Sequence, residues 1–184
     1  MSIVKDRQES LVRRLRAGDR TAAAELVDAY YQQIYLFMRR LGHSNAVSED
    51  LTQECFLAAW QHLGQLRDDT ALNGWLYRIA DNASKAYWRR HKGSQISIEQ
   101  ISLADSSEAG DKAEQAEQFS RVQNALLKMP MKWRQVIVSH YMQNLTITEA
   151  AEAAGVRRGV FKNRLEAAIK ELRKQLAEPA DGEL

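Results

Sequence analysis

Apolar residues recur at intervals of three and four along the first half of the chain, which is the period of an amphipathic α-helix. The first such stripe contains Val27, Tyr30, Tyr31, Ile34, Met38 and Leu41. The second, in a helix expected to begin at Ser44 or Asn45, contains Leu51, Cys55, Ala58, Ala59 and Leu63. The third, in a helix from about residue 72 to residue 91, contains Leu72, Trp75, Leu76, Ile79, Ala83 and Tyr87. The pattern predicts three helices that bury these stripes against one another.

The polar faces of the second and third predicted helices carry opposite charge. Off the apolar stripe of the second helix lie Glu49, Asp50, Gln53 and Glu54. Off the stripe of the third helix lie Arg78, Asn82, Lys85 and Arg89. Because phosphates attract rows of cations, the outward face of the third helix is a candidate surface for a nucleic-acid backbone.

Aromatic residues lie among these cations, and unpaired bases stack on aromatic rings while cations hold the phosphates. Trp75 is in helical register with core positions, so we expect it in the core rather than on a base, and we expect the same of Tyr35 and Trp60. Trp88 stands next to Arg89 and Arg90, and for this residue core packing and base stacking are both open.

The pattern near the C-terminus predicts a helix-turn-helix. Thr146 and Glu149 have the spacing of a capping box, so a short helix is expected to begin at Ile147 and to end at Gly155. The helix is rich in alanine, which lets a second helix pack close to it. That second helix opens with a run of polar and basic residues, Arg157, Arg158, Lys162, Asn163 and Arg164. A basic helix in this position is typical of one that enters the major groove of DNA.

Composition and charge indicate two modules. The chain has 184 residues, 45% of them hydrophobic, with two prolines and nine glycines, so we expect an all-α protein. The net charge of +2 hides basic clusters at 75–92 and 156–174 and an acidic stretch at 99–117. We predict a first module at 1–92, a flexible acidic linker at 93–112 and a second module at 113–184. The sequence leaves open whether this linker docks lightly on a module or a partner or is fully disordered.

Other classes of protein find little support in the sequence. Cys55 is the single cysteine, so no internal disulfide can form, and neither an export signal nor a membrane-spanning apolar run is present. We therefore expect a soluble cytoplasmic protein without direct membrane insertion. The four histidines are scattered, and no Gly-rich phosphate loop or H-E-x-x-H spacing occurs. We expect no catalysis, metal, cofactor or small-molecule substrate.

Three segments resemble region 2 of bacterial RNA polymerase sigma factors of the extracytoplasmic function (ECF) group, in the sigma-70 family. They are residues 48–60, SEDLTQECFLAAW, residues 74–82, GWLYRIADN, and residues 87–90, YWRR. The helix-turn-helix resembles region 4 of the same factors, and the resemblance covers roughly residues 8 to 176. It implies an all-α fold in which a region 2 helical bundle and a region 4 helix-turn-helix are joined by a flexible linker.

The resemblance also implies partners and roles. Region 2 would bind the clamp helices of the polymerase β′ subunit through Glu49, Asp50, Gln53 and Glu54. The third helix and the loop before it would melt the −10 element and hold its unpaired bases through Arg78, Asn82, Lys85, Trp88, Arg89 and Arg90. Region 4 would touch the β flap and read the −35 element as duplex through Arg157, Arg158, Lys162, Asn163 and Arg164. An anti-sigma factor that wedges between the modules would hold the protein inactive.

Some positions depart from the family pattern. Arg157 stands where a small hydroxyl residue usually caps the recognition helix, and the stretch Ala167, Ala168 and Ile169 is less basic than usual. We therefore expect weak duplex binding by the isolated second module. An ordinary helix-turn-helix repressor or activator is the alternative, but it leaves the acidic helix and the first basic cluster without a role. A protein-binding adaptor would differ by lacking salt-dependent DNA binding.

Overall fold

A computed structural model describes residues 2–91, 112–143 and 145–177, and all regular structure in these ranges is helical. The all-α prediction is therefore confirmed. The α-helices are α1 (Ser2–Arg16), α2 (Arg20–Arg40), α3 (Asn45–His62), α4 (Leu72–Arg90), α5 (Lys112–Lys128), α6 (Met131–Ile137), α7 (Ile147–Ala154) and α8 (Arg158–Ala177). Short 3-10 turns at Leu63–Gln65 and Asp69–Ala71 precede α4, and a π-helical turn at Val138–Met142 follows α6. The helices α1 to α4 are called the first module below, and α5 to α8 the second.

The helices of the first module form where predicted, but the buried stripes of α2 and α4 are shifted. On α4, Tyr77 and Ala80 are buried, whereas four predicted positions are only partly buried, namely Trp75, Ile79, Ala83 and Tyr87. The side chains of Ile34, Phe37 and Met38 have no solvent exposure, and the ring of Phe37 meets the edge of Tyr77 at 5.2 Å between centroids. Val27 and Tyr31, which belong to the predicted stripe, lie instead at the edge of the core. The buried line follows Leu26, Tyr30 and Ile34.

The first turn of α2 is fixed by a local cluster of charges. Asp19 caps α2 by accepting a hydrogen bond from the backbone N–H of Thr21 at 2.8 Å. Arg14 of α1 donates to Asp19 and to Glu25, each at 2.8 Å. Hydrogen bonds from Thr21 and then from Arg14 lower the pKa of Asp19 to about 2. The cluster links the C-terminal end of α1 to the first turn of α2.

The predicted helix ends agree with the structure. Ser44 caps α3 by accepting from the N–H of Val47. At α7 the capping box is complete, since Thr146 accepts from the N–H of Glu149 at 3.2 Å and its own N–H donates to that carboxylate at 2.9 Å. Gly155 ends α7 in the left-handed conformation with φ of 69°, which favours glycine over residues with a Cβ.

A buried arginine organises the start of the second module. Arg134 is 4% exposed, and its guanidinium donates to the carbonyls of Leu126 at 2.9 Å, Leu127 at 2.6 Å and Met129 at 3.2 Å. These carbonyls lie at the C-terminal end of α5, where the helix itself leaves carbonyls without donors. The carbonyl of Leu126 also accepts from the backbone N–H of Met129 at 3.0 Å. The same guanidinium donates to the carbonyl of Leu41 in the first module at 2.6 Å. One side chain therefore ties the end of α5 to the end of α2.

The two modules pack directly on each other, mainly through α4 and α7. The predicted linker at 93–112 lies outside the described residues except for Lys112, where α5 begins. The division into 1–92, 93–112 and 113–184 stays a prediction. Within the described ranges, the helices are too short or too polar to cross a membrane.

Candidate nucleic-acid and protein interfaces

The acidic residues of α3 form one exposed face. Glu49, Asp50, Gln53 and Glu54 all lie on the solvent side of the helix. The opposite side is anchored in the core by Leu51, Cys55 and Ala59, each 2% exposed or less. The amphipathic spacing of α3 thus places these polar residues together, as the sequence indicates.

An apolar groove of about 390 Å³ lies next to this acidic face, between α1, α2 and α3. Its walls include Val27, Tyr31, Gln53, Phe56, Leu57 and Trp60. Leu57 is 63% exposed and Trp60 is 47% exposed. The expectation of a core position for Trp60 is therefore wrong. Clustered large apolar side chains in water are typical of a surface that binds another macromolecule.

Sequence reasoning missed this groove because it assigned apolar residues at helical spacing to the core. A signal was present in α3, where Phe56, Leu57 and Trp60 fall outside the stripe that contains Cys55 and Ala59. Apolar residues on both sides of a helix indicate either full burial or a second contact surface. The exposed residues Glu49 and Glu54 on the same helix exclude full burial.

The loop before α4 is held against α1. Arg16 forms an ion pair with Asp69 at 2.8 Å and also donates to the carbonyl of Leu66. Asp68 accepts from the N–H of Thr70 at 2.9 Å and so shapes the turn that enters α4. These contacts fix where α4 begins relative to the groove.

The outward row of α4 is exposed as predicted. Arg78, Asn82, Lys85, Arg89 and Arg90 all face solvent. Trp88 differs from them, because it is half-buried and its ring stacks on His43 at 4.9 Å between centroids. Its indole nitrogen is enclosed with no hydrogen-bond partner in the described part of the chain. Any base stacking on Trp88 must use the ring face that does not touch His43.

Two buried ionisable side chains lie on the inner side of this row. His43 is 1% exposed and its Nε2 lies 2.8 Å from the hydroxyl of Ser84; burial, aided by the charge of Arg134, lowers its pKa to about 3. Asp81 is 2% exposed and forms an ion pair with Lys85. Burial raises the pKa of Asp81 to about 6, although the charges of Lys85 and Arg164 act in the opposite direction.

The N-terminal half of α8 presents the second basic surface. Arg157, Arg158, Lys162 and Asn163 are exposed, whereas Arg164 is half-buried. The helix is anchored by Phe161, Leu165 and Ala168, each 5% exposed or less. The charge of Arg164 favours the ionised carboxylate of Asp81 and so lowers its pKa against the effect of burial. The helices that carry the two predicted DNA-contacting rows, α4 and α8, both pack against α7.

Comparison with known proteins identifies the family. The Sigma-70 region 2 family model matches residues 26–94. The ECF RNA polymerase sigma factor SigW of Bacillus subtilis is 30% identical over 177 residues, which cover 90% of this chain and 94% of SigW. This chain belongs to the ECF RNA polymerase sigma factors. The present chain is also 31% identical over 148 residues to SigM of Mycobacterium tuberculosis strain H37Rv, and the match covers 80% of this chain and 74% of SigM.

Solved structures share the fold of this sigma factor. CnrH, in complex with the cytosolic domain of CnrY, matches with a TM-score of 0.71 and 21% identity, over 95% of this chain and 99% of CnrH. The sigma factor RpoE of Bartonella quintana, in complex with the anti-sigma factor NepR, matches with a TM-score of 0.65 and 19% identity, over 86% of this chain and 98% of RpoE. At this level of identity the likeness shows the fold alone.

Proposed function

We propose that this ECF sigma factor docks on core RNA polymerase through the outer surface of α3 and then directs promoter-specific initiation. The observation that carries the proposal is the apolar groove around Leu57 and Trp60. Asp50 and Glu54 are exposed on the same helix, one turn before the groove residues Gln53 and Leu57. Family membership supplies the kind of partner, and the groove indicates where on this chain that partner binds.

The chemistry of this surface suits a specific protein contact. Interfaces commonly have an apolar centre with aromatic anchors and a charged rim. Here Phe56, Leu57 and Trp60 supply the centre, and Glu49, Asp50 and Glu54 supply the rim. Burial of the centre provides affinity, whereas the carboxylates favour a basic partner surface and speed association with it. The clamp helices of the β′ subunit are the proposed partner.

Promoter contacts are assigned to the two basic rows. The exposed row of α4 is proposed to hold the phosphates of the unpaired −10 strand, and the loop fixed by Arg16 and Asp69 is proposed to guide that strand. At the start of α8, the exposed residues Arg157, Arg158, Lys162 and Asn163 are proposed to enter the major groove of the −35 element. An arginine that contacts guanine with two hydrogen bonds is worth about 1–3 kcal/mol of discrimination.

An anti-sigma factor is the proposed inhibitor. In the Bartonella quintana structure RpoE is bound to the anti-sigma factor NepR. We propose that an inhibitor of the present chain covers the α3 groove, because one segment can then bury Leu57 and Trp60 and exclude polymerase at the same time. Core polymerase and the inhibitor are therefore expected to compete for this groove.

Charge reversal tests the docking surface. The double variant Asp50→Lys and Glu54→Lys should lose core-polymerase binding and run-off transcription without losing helicity, because both side chains are exposed. The matched control is Glu117→Lys with Glu166→Lys, which makes the same charge change at exposed positions on α5 and α8. Retained binding by the first variant, measured by titration with labelled core enzyme, would refute the proposed surface.

The same purified proteins distinguish a sigma factor from the alternative, a helix-turn-helix repressor or activator. A repressor or activator that is not a polymerase subunit binds its DNA site without core enzyme. The sigma factor should produce discrete new transcripts only when core polymerase is added. Sequence-specific duplex binding by the chain alone, combined with no binding to core, would favour the alternative.

A further inference from the structure

The turn between α2 and α3 holds a buried histidine in a fixed position. Gly42 has a φ of 97°, a conformation that favours glycine, and it starts the turn towards α3. The backbone N–H of His43 donates to the carbonyl of Met38 at 3.3 Å. The carbonyl of His43 accepts from the guanidinium of Arg39 at 2.6 Å. Both backbone groups of His43 are therefore tied to the last turn of α2.

The side chain of His43 has one hydrogen-bonded nitrogen. It is 1% exposed, and its Nε2 lies at hydrogen-bond distance, 2.8 Å, from the hydroxyl oxygen of Ser84 in α4. Its Nδ1 is buried without a hydrogen-bond partner in the described part of the chain. Burial lowers the pKa of this ring to about 3, so the ring is uncharged at neutral pH. Apart from the Ser84 contact, His43 interacts with its surroundings through the faces and edges of its ring.

Two aromatic side chains of α4 pack on this ring. The indole of Trp88 stacks on it, with 4.9 Å between the ring centroids and 24° between the planes. The ring of Tyr87 lies 5.0 Å from His43 and 5.7 Å from Trp88, and it is nearly perpendicular to both. Stacked and edge-to-face arrangements are those that aromatic pairs prefer. The indole of Trp88 is therefore held from two directions.

Trp88 lies where the core meets the basic row of α4. It is half-buried, and the exposed residues Arg89 and Arg90 follow it. Its indole N–H is enclosed without a hydrogen-bond partner among the described residues, although a buried tryptophan usually has one. Stacking rather than the polar atom therefore fixes this ring. Because His43 covers one face of the indole, another flat group can stack only on the opposite face.

We propose that His43 is a positioning residue, which supports the indole of Trp88 from within the bundle so that the opposite face receives one unpaired base of the −10 strand. The base contact rests on the proposed function, whereas the support of Trp88 by His43 does not. His43 itself is buried and acts through Trp88. The support comes from the turn between α2 and α3, outside the helix that carries the basic row.

A fixed ring binds a base more tightly than a mobile one. Stacking on an aromatic side chain stabilises any unpaired base, while neighbouring cations hold the phosphates. A side chain that is free to change rotamer loses that freedom when a base stacks on it. Trp88 has little freedom to lose, because His43 and Tyr87 already hold it. Ordering one large side chain changes a binding equilibrium about two- to tenfold, and this is the expected effect of the support on the open complex.

The support is tested first in the chain without polymerase or DNA. Fluorinated tryptophan gives one fluorine NMR signal for each of the four tryptophans, and Trp88→Phe assigns the signal of residue 88. His43→Gln should shift and broaden this signal, because the indole then samples more than one orientation, and should leave the signal of Trp60 in place. His43→Phe should keep the Trp88 signal narrow, because it retains a ring. An unchanged Trp88 signal in His43→Gln would refute the support.

His91→Gln is the matched control for His43→Gln. His91 is exposed and stacks on Tyr87 at 4.1 Å between centroids. The control therefore removes an imidazole from the same cluster of rings, on the side of Tyr87. It should leave the Trp88 signal narrow. Equal broadening in both variants, with helicity kept in circular dichroism, would show a general loss of order in the cluster and would contradict a specific role of His43.

Promoter opening gives the functional readout, with holoenzyme on a promoter that run-off transcription identifies. His43→Gln should lower the permanganate reactivity of the −10 thymines about two- to tenfold and leave recruitment to the promoter unchanged. His43→Phe should restore opening. On a template whose −10 segment is already unpaired by mismatches, the deficit of His43→Gln should become smaller, because opening no longer depends on the capture of a base. A folding defect would persist on that template.

The outcomes separate this proposal from the proposed function. A wild-type chain that does not bind core polymerase would contradict the proposed function, and the fluorine signals would still decide whether His43 supports Trp88. Normal opening by Trp88→Ala would overturn the base contact. Normal opening by His43→Gln would overturn the positioning role. A deficit that His43→Phe does not restore would show that the contact with Ser84, and not the stacked ring, is what the promoter requires.

Discussion

The outer surface of α3 lies within the first module, whereas the contact between α4 and α7 joins the two modules, and the two surfaces differ in chemistry. On α3, large apolar side chains such as Leu57 and Trp60 face water with no partner in the described part of the chain. Between α4 and α7, Gly74 allows close approach and the polar side chains of Asn73 and Glu149 satisfy each other. The second surface is already complete within the chain, whereas the first is not.

This difference matters energetically because the two surfaces respond in opposite ways to a partner. Complete burial of a Leu or another large apolar side chain is worth about 1.5–3 kcal/mol, so the groove on α3 holds free energy that a partner can still use. The residues of the α4–α7 contact are already buried against each other within the chain. A partner that separates them must therefore supply the free energy of that contact. A docking surface and a contact within the chain can therefore be told apart, because substitutions in the first mainly change binding and substitutions in the second mainly change stability.

The largest effect is expected for Arg134→Leu, because this arginine links the end of α5 to the end of α2. The change removes the donor to four buried carbonyls and should lower the free energy of unfolding by about 3 kcal/mol or more. Urea unfolding followed by circular dichroism measures it. Arg67→Leu is the control, since Arg67 is exposed and its loss should cost about 0.5 kcal/mol or less. Equal effects of the two changes would contradict the bridging role of Arg134.

Trp60→Ala should have a small effect on stability and a large effect on binding. Because the ring is 47% exposed, its loss should change the free energy of unfolding by less than about 1 kcal/mol. As an aromatic anchor in the proposed interface, it should contribute about 2 kcal/mol to binding, so affinity for core polymerase should fall about 30-fold. Calorimetry and a core-binding titration measure the two effects. A large loss of stability with unchanged binding would show that Trp60 acts as a core residue and not as part of the interface.

How far the sequence predicts each surface depends on whether its determinants are local. The capping box of Thr146 and Glu149, the left-handed Gly155 and the exposed carboxylates of α3 are set within one or two turns, and all were predictable. The docking of Gly74 on Glu149 joins residues 75 positions apart in the chain, and no periodicity encodes it. Periodicity also cannot tell a buried stripe from an exposed one at its edge, which is why Trp60 was misplaced.

The smallest net effect is expected in the pH dependence of stability, because two buried groups oppose each other. The pKa of Asp81, raised to about 6, means that the folded chain binds a proton more tightly than the unfolded chain, so Asp81 adds stability as the pH falls through 6. The pKa of His43, lowered to about 3, means that only the unfolded chain gains this proton, so His43 removes stability as the pH falls below about 6.5. Both groups lie in the first module on the side of α4, away from the α3 groove.

Between pH 7 and pH 5, Asp81 should add about 1 kcal/mol and His43 should remove about 2 kcal/mol. Wild type should therefore lose only about 1 kcal/mol over this interval, in urea unfolding at each pH. The Asp81→Asn variant lacks the stabilising contribution of Asp81, so its free energy of unfolding should fall by about 2 kcal/mol between pH 7 and pH 5. The His43→Gln variant lacks the destabilising contribution of His43, so its free energy of unfolding should rise by about 1 kcal/mol over the same interval. Parallel pH profiles for all three proteins would show that neither group is buried as described.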